Sequence, residues 1–219
     1  MMKNKIMADT VQDTTTRITR LELGPFGTNV YIVMCLETRD SMLVDAPAEA
    51  SKILHQLKGT SPKHIVITHS HIDHIGALHE LKSKLKVPVA IHPLDSVKLA
   101  SPPDLELNDG DTLNVGHLKV KVFHAPGHTP GSLCFLVGKY LISGDTIFPG
   151  GPGKTGTPAD FRQIIDSIVT KIFPLPDDTE IYPGHGNPTV LGKAKKEFAI
   201  FASRPHDPNL HGDVLWLSS

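Results

Sequence analysis

Short runs of apolar residues, several of them alternating with polar ones, recur along the chain and predict β-strands. In one run, Leu118, Val120 and Val122 alternate with lysines, which is typical of a strand with one buried face. The predicted strands cover residues 18–23, 29–36, 41–44, 64–68, 87–91, 118–123, 133–137, 140–143 and 179–182.

Other segments place apolar residues three or four positions apart, and this spacing predicts amphipathic helices. One helix lies around residues 53–57, and a second spans residues 75–85. A third begins at Thr157, a capping residue that Pro158 follows directly. A fourth covers residues 188–201.

The order of these elements predicts the fold class. Helices and strands alternate at both ends of the chain, and the middle part, residues 105–148, is rich in strands and tight turns. This arrangement predicts an α/β (α+β) fold in which mixed sheets are covered by helices. No repeat and no low-complexity linker interrupts residues 17–219, so we expect a single domain there.

The two ends of the chain carry weaker patterns. Residues 1–16 are polar, lack the apolar core of a signal peptide, and predict a flexible N-terminal arm. The tail segment, residues 202–219, is rich in turn formers but also carries Leu215, Trp216 and Leu217. Its pattern does not predict where it lies.

Composition and charge narrow the range of partners. The 219 residues include 22 basic and 23 acidic side chains, so a net charge of −1 gives no electrostatic argument for nucleic acid or an anionic membrane. No apolar run approaches the length that spans a bilayer. The two cysteines, Cys35 and Cys134, lie inside apolar runs, which predicts buried reduced thiols in a reducing compartment. We therefore expect a cytoplasmic protein.

A cluster of polar donors directly follows the apolar run 65–67. It places His69, His71, Asp73 and His74 within six residues, where a buried strand turns into a helix. Side chains two apart in an extended segment point the same way, so the first two can reach one ion. The other two turn away with the helix and can serve a second ion. Imidazole and carboxylate donors suit zinc, iron or manganese, and burying them without a cation would be costly.

Three later turns each present one further donor after an apolar strand. His128, Asp145 and His185 occupy these turns, and each has a glycine as a neighbour in the sequence. Glycine lets a backbone approach a bound ligand closely. Taken singly, each would be an ordinary turn residue, but together they repeat the pattern of a strand that delivers a donor at its end.

The order of these donors resembles the metallo-β-lactamase superfamily and, within it, the glyoxalase II-like hydrolases. The match extends from the run 24–29, Gly-Pro-Phe-Gly-Thr-Asn, to the run 183–186, Pro-Gly-His-Gly. Asp45 at the end of an early strand is also typical of the family, although Ala46 stands where a glycine often follows. The resemblance implies a four-layer αββα sandwich of two mixed β-sheets flanked by helices, with a two-metal site at one edge.

The resemblance also implies a role for each donor. One ion, most simply Zn²⁺ with Fe or Mn as alternatives, would bind His69, His71 and His128; a second would bind Asp73, His74 and His185; Asp145 would bridge them. A hydroxide held between the ions would attack a carbonyl carbon. Asp73 would also orient or relay the proton. We expect Asp45, Thr68 and Ser70 to orient the donors, although Ser70 fits a plain turn residue equally well.

The segment after Asp145 bears on the substrate. Its Gly-Gly-Pro-Gly-Lys run is similar to the glyoxalase II segment in which a basic residue touches the glutathione part of a thioester, and Lys154 matches that residue. An exposed loop lysine is the alternative interpretation. The aromatic residue expected soon afterwards is absent, and we expect no separate helical glutathione-binding domain. These departures favour a thioester hydrolase of relaxed or different specificity.

The sequence leaves two other activities open. A lactonase of the acyl-homoserine-lactone type would use the same metals. A persulfide dioxygenase would use a single iron at the positions of His69, His128 and Asp145, but its usual basic-Thr/Ser-Asp-Phe run is not matched after Lys154. All three activities imply a small-molecule substrate. The sequence gives no oligomeric state.

Overall fold

Two β-sheets packed face to face form the centre of the molecule, as seen in a computed structural model that describes residues 8–219. The first sheet consists, in spatial order, of β1 (Ala8–Gln12), β2 (Thr16–Leu23), β3 (Thr28–Cys35), β4 (Asp40–Val44), β5 (Ser61–Val66), β6 (Val89–Ile91) and β7 (Leu105–Glu106). Strands β1 to β4 pair with one another in antiparallel fashion, and β5, β6 and β7 continue the sheet parallel to β4.

The second sheet is also mixed. In chain order its strands are β8 (Thr112–Val115), β9 (Leu118–His124), β10 (Leu133–Val137), β11 (Tyr140–Gly144), β14 (Glu180–Pro183) and β15 (Thr189–Val190). Between β11 and β14 the chain forms a separate two-stranded ribbon of β12 (Ile147–Phe148) and β13 (Gly151–Pro152). In space β14 lies beside β11, and the two are parallel. The prediction of mixed sheets is confirmed.

Helices cover the outer face of each sheet. They are α1 (Ala50–Gln56), α2 (Ile72–Ile75), α3 (Leu78–Leu85), α4 (Pro93–Ser96), α5 (Pro158–Ser167), which continues into a π-helical stretch (Ile168–Ile172), and α6 (Leu191–Ala202). None of the helices within residues 8–219 combines the length and the apolar character needed to cross a membrane.

Three layers of apolar side chains separate these four layers of secondary structure. Along β4, Met42 and Val44 point between the sheets, whereas Leu43 points outward to α1 and α3. In the second sheet Ile142 points inward and Leu141 points outward to α5 and α6. This alternation makes the molecule an αββα sandwich, the fold that the resemblance implies.

Several predicted boundaries are wrong. Residues 8–12 form β1 and pair with β2, so they are not part of a flexible arm, and residues 1–7 of that predicted arm lie outside the described residues. The helix expected over residues 188–201 begins only at Leu191, because residues 189–190 pair with β14.

The helix predicted over residues 75–85 is broken into α2 and α3. The break follows from contacts with the loop after β4, because Ala46 donates to the carbonyl of His74 and accepts from the amide of Ala77. These bonds draw the backbone away from a continuous helix. Both cysteines are buried and free, as predicted.

Candidate metal centre

The donors predicted from the sequence converge at one edge of the sandwich. Strands β4, β5 and β6 run in one direction in the first sheet, and β9, β11 and β14 share a direction in the second. Parallel strands end on the same side of a sheet, and the loops at their carboxyl ends meet there. These loops carry all seven donors, His69, His71, Asp73, His74, His128, Asp145 and His185.

Three imidazoles form the first group. The Nδ1 atom of His71 lies 3.1 Å from Nε2 of His69 and 3.0 Å from Nε2 of His128. Donor atoms around one tetrahedral ion with metal–nitrogen bonds of normal length lie about 3.3 Å apart. The spacing of the three nitrogens therefore fits a shared cation.

Asp73, His74 and His185 form the second group. The Nε2 atom of His185 lies 3.2 Å from a carboxylate oxygen of Asp73 and 3.3 Å from Nε2 of His74. The Asp73 oxygen is 3.6 Å from Nε2 of His74. The donor atoms of this group are therefore also close enough to share one cation, with one carboxylate in place of one imidazole.

Asp145 lies between the two groups. Its Oδ2 atom is 3.5 Å from Nε2 of His128 and 3.6 Å from Nε2 of His185. Its Oδ1 atom is 3.6 Å from Nε2 of His74, and it is buried without a hydrogen-bond partner among the described residues. An unpartnered buried carboxylate oxygen is costly, and a cation would satisfy it.

The hydrogen bonds on the outer nitrogens assign a tautomer to four of the imidazoles. The Nδ1 atom of His74 donates to Asp45, that of His128 to the carbonyl of Lys154, and that of His185 to the carbonyl of Phe26. Each ring thereby leaves the lone pair of Nε2 free, as ligand imidazoles normally do.

His69 follows the same rule through Thr68. The Thr68 hydroxyl donates its single proton to Asp45, so it accepts from Nδ1 of His69, 3.1 Å away. His71 is the exception, since its Nδ1 atom faces the other ring nitrogens. Four imidazoles therefore aim Nε2, and His71 aims Nδ1, at two neighbouring points, and this donor set fits divalent metal ions.

Asp45 organises the floor of the site. It is 1% exposed, its Oδ1 atom accepts from the amide of Thr68 at 2.8 Å, and its Oδ2 atom accepts from both the Thr68 hydroxyl and His74 at 2.8 Å. Its backbone has a φ of +64°, in the left-handed region that few residues other than glycine adopt. The structure therefore places Asp45 and Thr68 in contact with the outer nitrogens of His74 and His69.

Ser70 leads to a residue that the sequence analysis missed. Its amide and its hydroxyl both donate to Oδ2 of Asp95, at 2.7 and 3.0 Å, and the amide of Gly131 donates to Oδ1 at 2.8 Å. Asp95 is fully buried at the start of the segment after β6. It thus ties the loop that holds His69 to the loop that holds His128. It follows the end of a strand parallel to β5, so the rule that found the donors also applies to it.

Thr28 and Gly184 complete the second group. The Thr28 hydroxyl donates to Oδ2 of Asp73 at 3.0 Å. A Cβ atom on Gly184 would lie 2.1 Å from Oδ1 of Asp145 and 2.8 Å from a ring carbon of His74. Only glycine therefore lets the loop of His185 come this close to the other donors.

Burial and neighbouring charges give two histidines opposite proton affinities in the protein alone. Burial, together with the surrounding imidazoles, holds the pKa of His69 well below its usual value. Burial also disfavours the charged form of His74, but Asp45 together with Asp145 and Asp73 outweighs it and raises the pKa of His74 to about 9. Cation binding by His74 at neutral pH is therefore coupled to loss of a proton.

A cavity of about 310 Å³ opens onto the centre. Its floor includes His128, Asp145 and His185, and Phe148 contributes an apolar wall. Lys154 lies at the rim with its side chain 68% exposed, and its Nζ atom is 3.7 Å from a carboxylate oxygen of Asp213. The backbone of Lys154 holds His128 and its side chain faces the solvent side of the cavity.

The chain has relatives among known proteins. The sequence profile of the metallo-beta-lactamase superfamily matches residues 23–185. The chain is also 30% identical over 191 residues to a protein of Haemophilus influenzae named hydroxyacylglutathione hydrolase GloC, and this match covers 77% of the chain and 90% of the relative.

Two solved structures have a similar fold and similar sequences. One is the crystal structure of ETHE1 from Myxococcus xanthus, with a TM-score of 0.73, 29% identity, and coverage of 82% of this chain and 81% of that one. The other is TTHA1623 in a di-iron-bound form, with a TM-score of 0.70, 33% identity, and coverage of 81% of this chain and 96% of that one.

Proposed function

The chain belongs to the metallo-β-lactamase superfamily, and from that premise we propose that it is a dinuclear-metal hydrolase acting on thioesters. The observation that carries the proposal is the convergence of seven donors into two groups with Asp145 between them. An apolar cavity opens directly onto both groups. The relative named hydroxyacylglutathione hydrolase supports a thioester as the substrate.

Each donor has a defined task in this proposal. His69, His71 and His128 would hold one ion, and Asp73, His74 and His185 would hold the other, with Asp145 within reach of both. Two such ions would supply a hydroxide near neutral pH and would polarise the substrate carbonyl. The donor types suit zinc, and iron is the main alternative because the similar protein TTHA1623 has a structure in a di-iron-bound form.

We assign to Asp73 a second task in moving the proton. Its Oδ2 atom faces His74 and His185, and the Thr28 hydroxyl fixes its orientation. In hydrolysis the C–S bond breaks, a C–O bond forms, and the leaving sulfur takes up a proton. A carboxylate held beside the other donors in this way is suited to accept that proton from water and pass it on.

Lys154 is the residue that would meet a charged part of the substrate. Its ammonium group lies at the rim of the cavity, where it would act as a point charge toward a carboxylate. The apolar wall at Phe148 is equally suited to an acyl chain, which keeps a lactone as the second candidate substrate.

The persulfide dioxygenase alternative needs one iron. The second donor group speaks against it. The donor atoms of Asp73, His74 and His185 lie 3.2 to 3.6 Å apart, and Asp45 and Phe26 orient two of these residues. A site that used one ion would have no need for this second arrangement.

Metal analysis together with a substrate panel tests the proposal. We expect about two ions per chain, and hydrolysis of thioesters faster than of lactones, with loss of activity on chelation and recovery on adding metal. One iron per chain with oxygen uptake and no hydrolysis would establish the dioxygenase instead. A purified protein that binds no divalent metal would refute both.

A further inference from the structure

The tail segment runs alongside the loop that borders the cavity. The amide of Gly212 donates to the carbonyl of Thr155 at 3.1 Å, and the amide of Thr155 donates back at 3.2 Å. Farther on, the amide of Trp216 donates to the carbonyl of Gly150 at 2.8 Å. The tail segment is therefore tied to both ends of the loop that carries Lys154.

Two buried side chains fix the tail segment in this place. Trp216 is fully buried and Val214 is 2% exposed, and both pack beneath α5 and α6. A Cβ atom on Gly151 would lie 2.4 Å from the carbonyl oxygen of Val214. Glycine at that position thus allows the loop and the tail segment to lie in direct contact.

The residues between these anchors face the cavity. Asp213 and Leu215 alternate with the buried pair, are exposed, and line the cavity beside Phe148 and Lys154. The carboxylate of Asp213 approaches Nζ of Lys154 to 3.7 Å. The tail segment therefore contributes one negative charge and one apolar side chain to the rim of the candidate active site.

We propose that the tail segment determines substrate charge, with Asp213 as a specificity residue that offsets Lys154 and Leu215 extending the apolar wall. The site then favours thioesters of an uncharged thiol over those whose thiol part carries carboxylates, as glutathione does. This inference rests on the thioesterase function proposed above. A substrate carboxylate must compete with Asp213 for the ammonium group and is also repelled by it.

The size of the effect follows from exposure. Both side chains are more than two-thirds exposed, at 68% for Lys154 and 78% for Asp213, so solvent screens their interaction. We expect Asp213→Asn to lower KM for a glutathione thioester about two- to fivefold. The kcat should not change, and KM for an N-acetylcysteamine thioester of the same acyl group should stay the same. Asp207→Asn, a matched exposed acid of the tail segment away from the cavity, should change neither.

Binding gives a second measurement that does not depend on turnover. Titration calorimetry with S-methylglutathione should show tighter binding to Asp213→Asn than to the wild type, and the difference should shrink as salt is added. If the wild-type protein hydrolyses thioesters but the variant leaves both KM values and the binding unchanged, the role of Asp213 is refuted. If the metal-loaded wild type hydrolyses neither thioester, the proposed function itself fails, and this inference with it.

Discussion

The loop of residues 69–74 and the three later donors meet at one centre but are held there in different ways. Beneath the loop lie two buried carboxylates, Asp45 and Asp95, which accept hydrogen bonds from it. The later histidines instead donate to backbone carbonyls, His128 to that of Lys154 and His185 to that of Phe26. A substitution of Asp45 or Asp95 removes the carboxylate that accepts these bonds. A substitution of Lys154 or Phe26 leaves the backbone carbonyl in place. Sensitivity to mutation should therefore extend further from the donors in the loop than from His128 and His185, for which the contact of Asp95 with Gly131 adds a side-chain anchor only to the loop of His128.

The largest expected effect is that of His128→Ala. We expect turnover to fall by several orders of magnitude and the metal content to drop, while circular dichroism and the unfolding midpoint change little, because the ring is part of the centre and not of the apolar core. Lys154→Ala is the matched control for its anchor, since the carbonyl remains and the metal content should stay at that of the wild type. Near-full activity of His128→Ala would refute the role of that donor.

Asp45→Asn should have the next largest effect. Asparagine has one acceptor oxygen in place of two, so it cannot accept from the Thr68 amide, the Thr68 hydroxyl and His74 together, and at least one buried donor loses its partner. We expect metal affinity to fall about 10–100-fold, chiefly at the position of His74, and the free energy of unfolding to fall by about 1–3 kcal/mol. Chelator competition and denaturant titration measure the two effects. Asp166→Asn, an exposed acid on α5, serves as the control. If Asp45→Asn kept the metal affinity of the wild type, the role of Asp45 as an anchor of the centre would be refuted.

Asp95→Asn should affect the other metal position. Its two oxygens accept from Ser70 and from Gly131, so the change loosens the loops of His71 and His128 while Asp73 and His74 keep their contacts. We expect about a tenfold loss of metal affinity at the first position, and a second position that fills as in the wild type. A stepwise cobalt titration, monitored by absorption spectroscopy, would distinguish filling of the first metal position from filling of the second. Equal weakening of both positions would show that Asp95 supports the fold and not one group of donors.

Ser70→Ala should have the smallest effect. It removes the hydroxyl bond to Asp95 but keeps the amide bond at 2.7 Å. We expect a loss of about 1 kcal/mol in the free energy of unfolding and turnover within a few-fold of the wild type. Thermal unfolding and steady-state kinetics test this. A loss of turnover as large as that of Asp95→Asn would mean that the hydroxyl itself contributes to positioning.

The same contrast explains what the sequence predicts well. The donors at residues 69–74 are recognisable because their spacing is local, and His128, Asp145 and His185 are recognisable because each follows an apolar strand. Both patterns depend on one physical fact, that parallel strands end at a common edge. The mixed sheets follow from the order of the apolar segments, and the αββα layers were implied by the resemblance to the family.

Features that depend on contacts between distant segments were not predicted. Asp95 is not part of the local cluster of donors, and its hydrogen-bond partners lie 25 and 36 residues away in the sequence. The strand at residues 8–12 is partly exposed and owes its structure to pairing with β2. The break between α2 and α3 comes from bonds to Ala46, and the position of Trp216 from packing beneath α6. In each case the partner segment decides the outcome.

The backbone of Asp45 is strained, and the side chain offsets that strain. A φ of +64° costs a non-glycine residue about 1 kcal/mol, and glycine at this position would relieve it. Glycine would also leave the buried donors of Thr68 and His74 without their shared acceptor, which costs about 1–3 kcal/mol for each unpaired group. An engineered protein with glycine at position 45 would therefore gain no resistance to heat and would have a poorer centre.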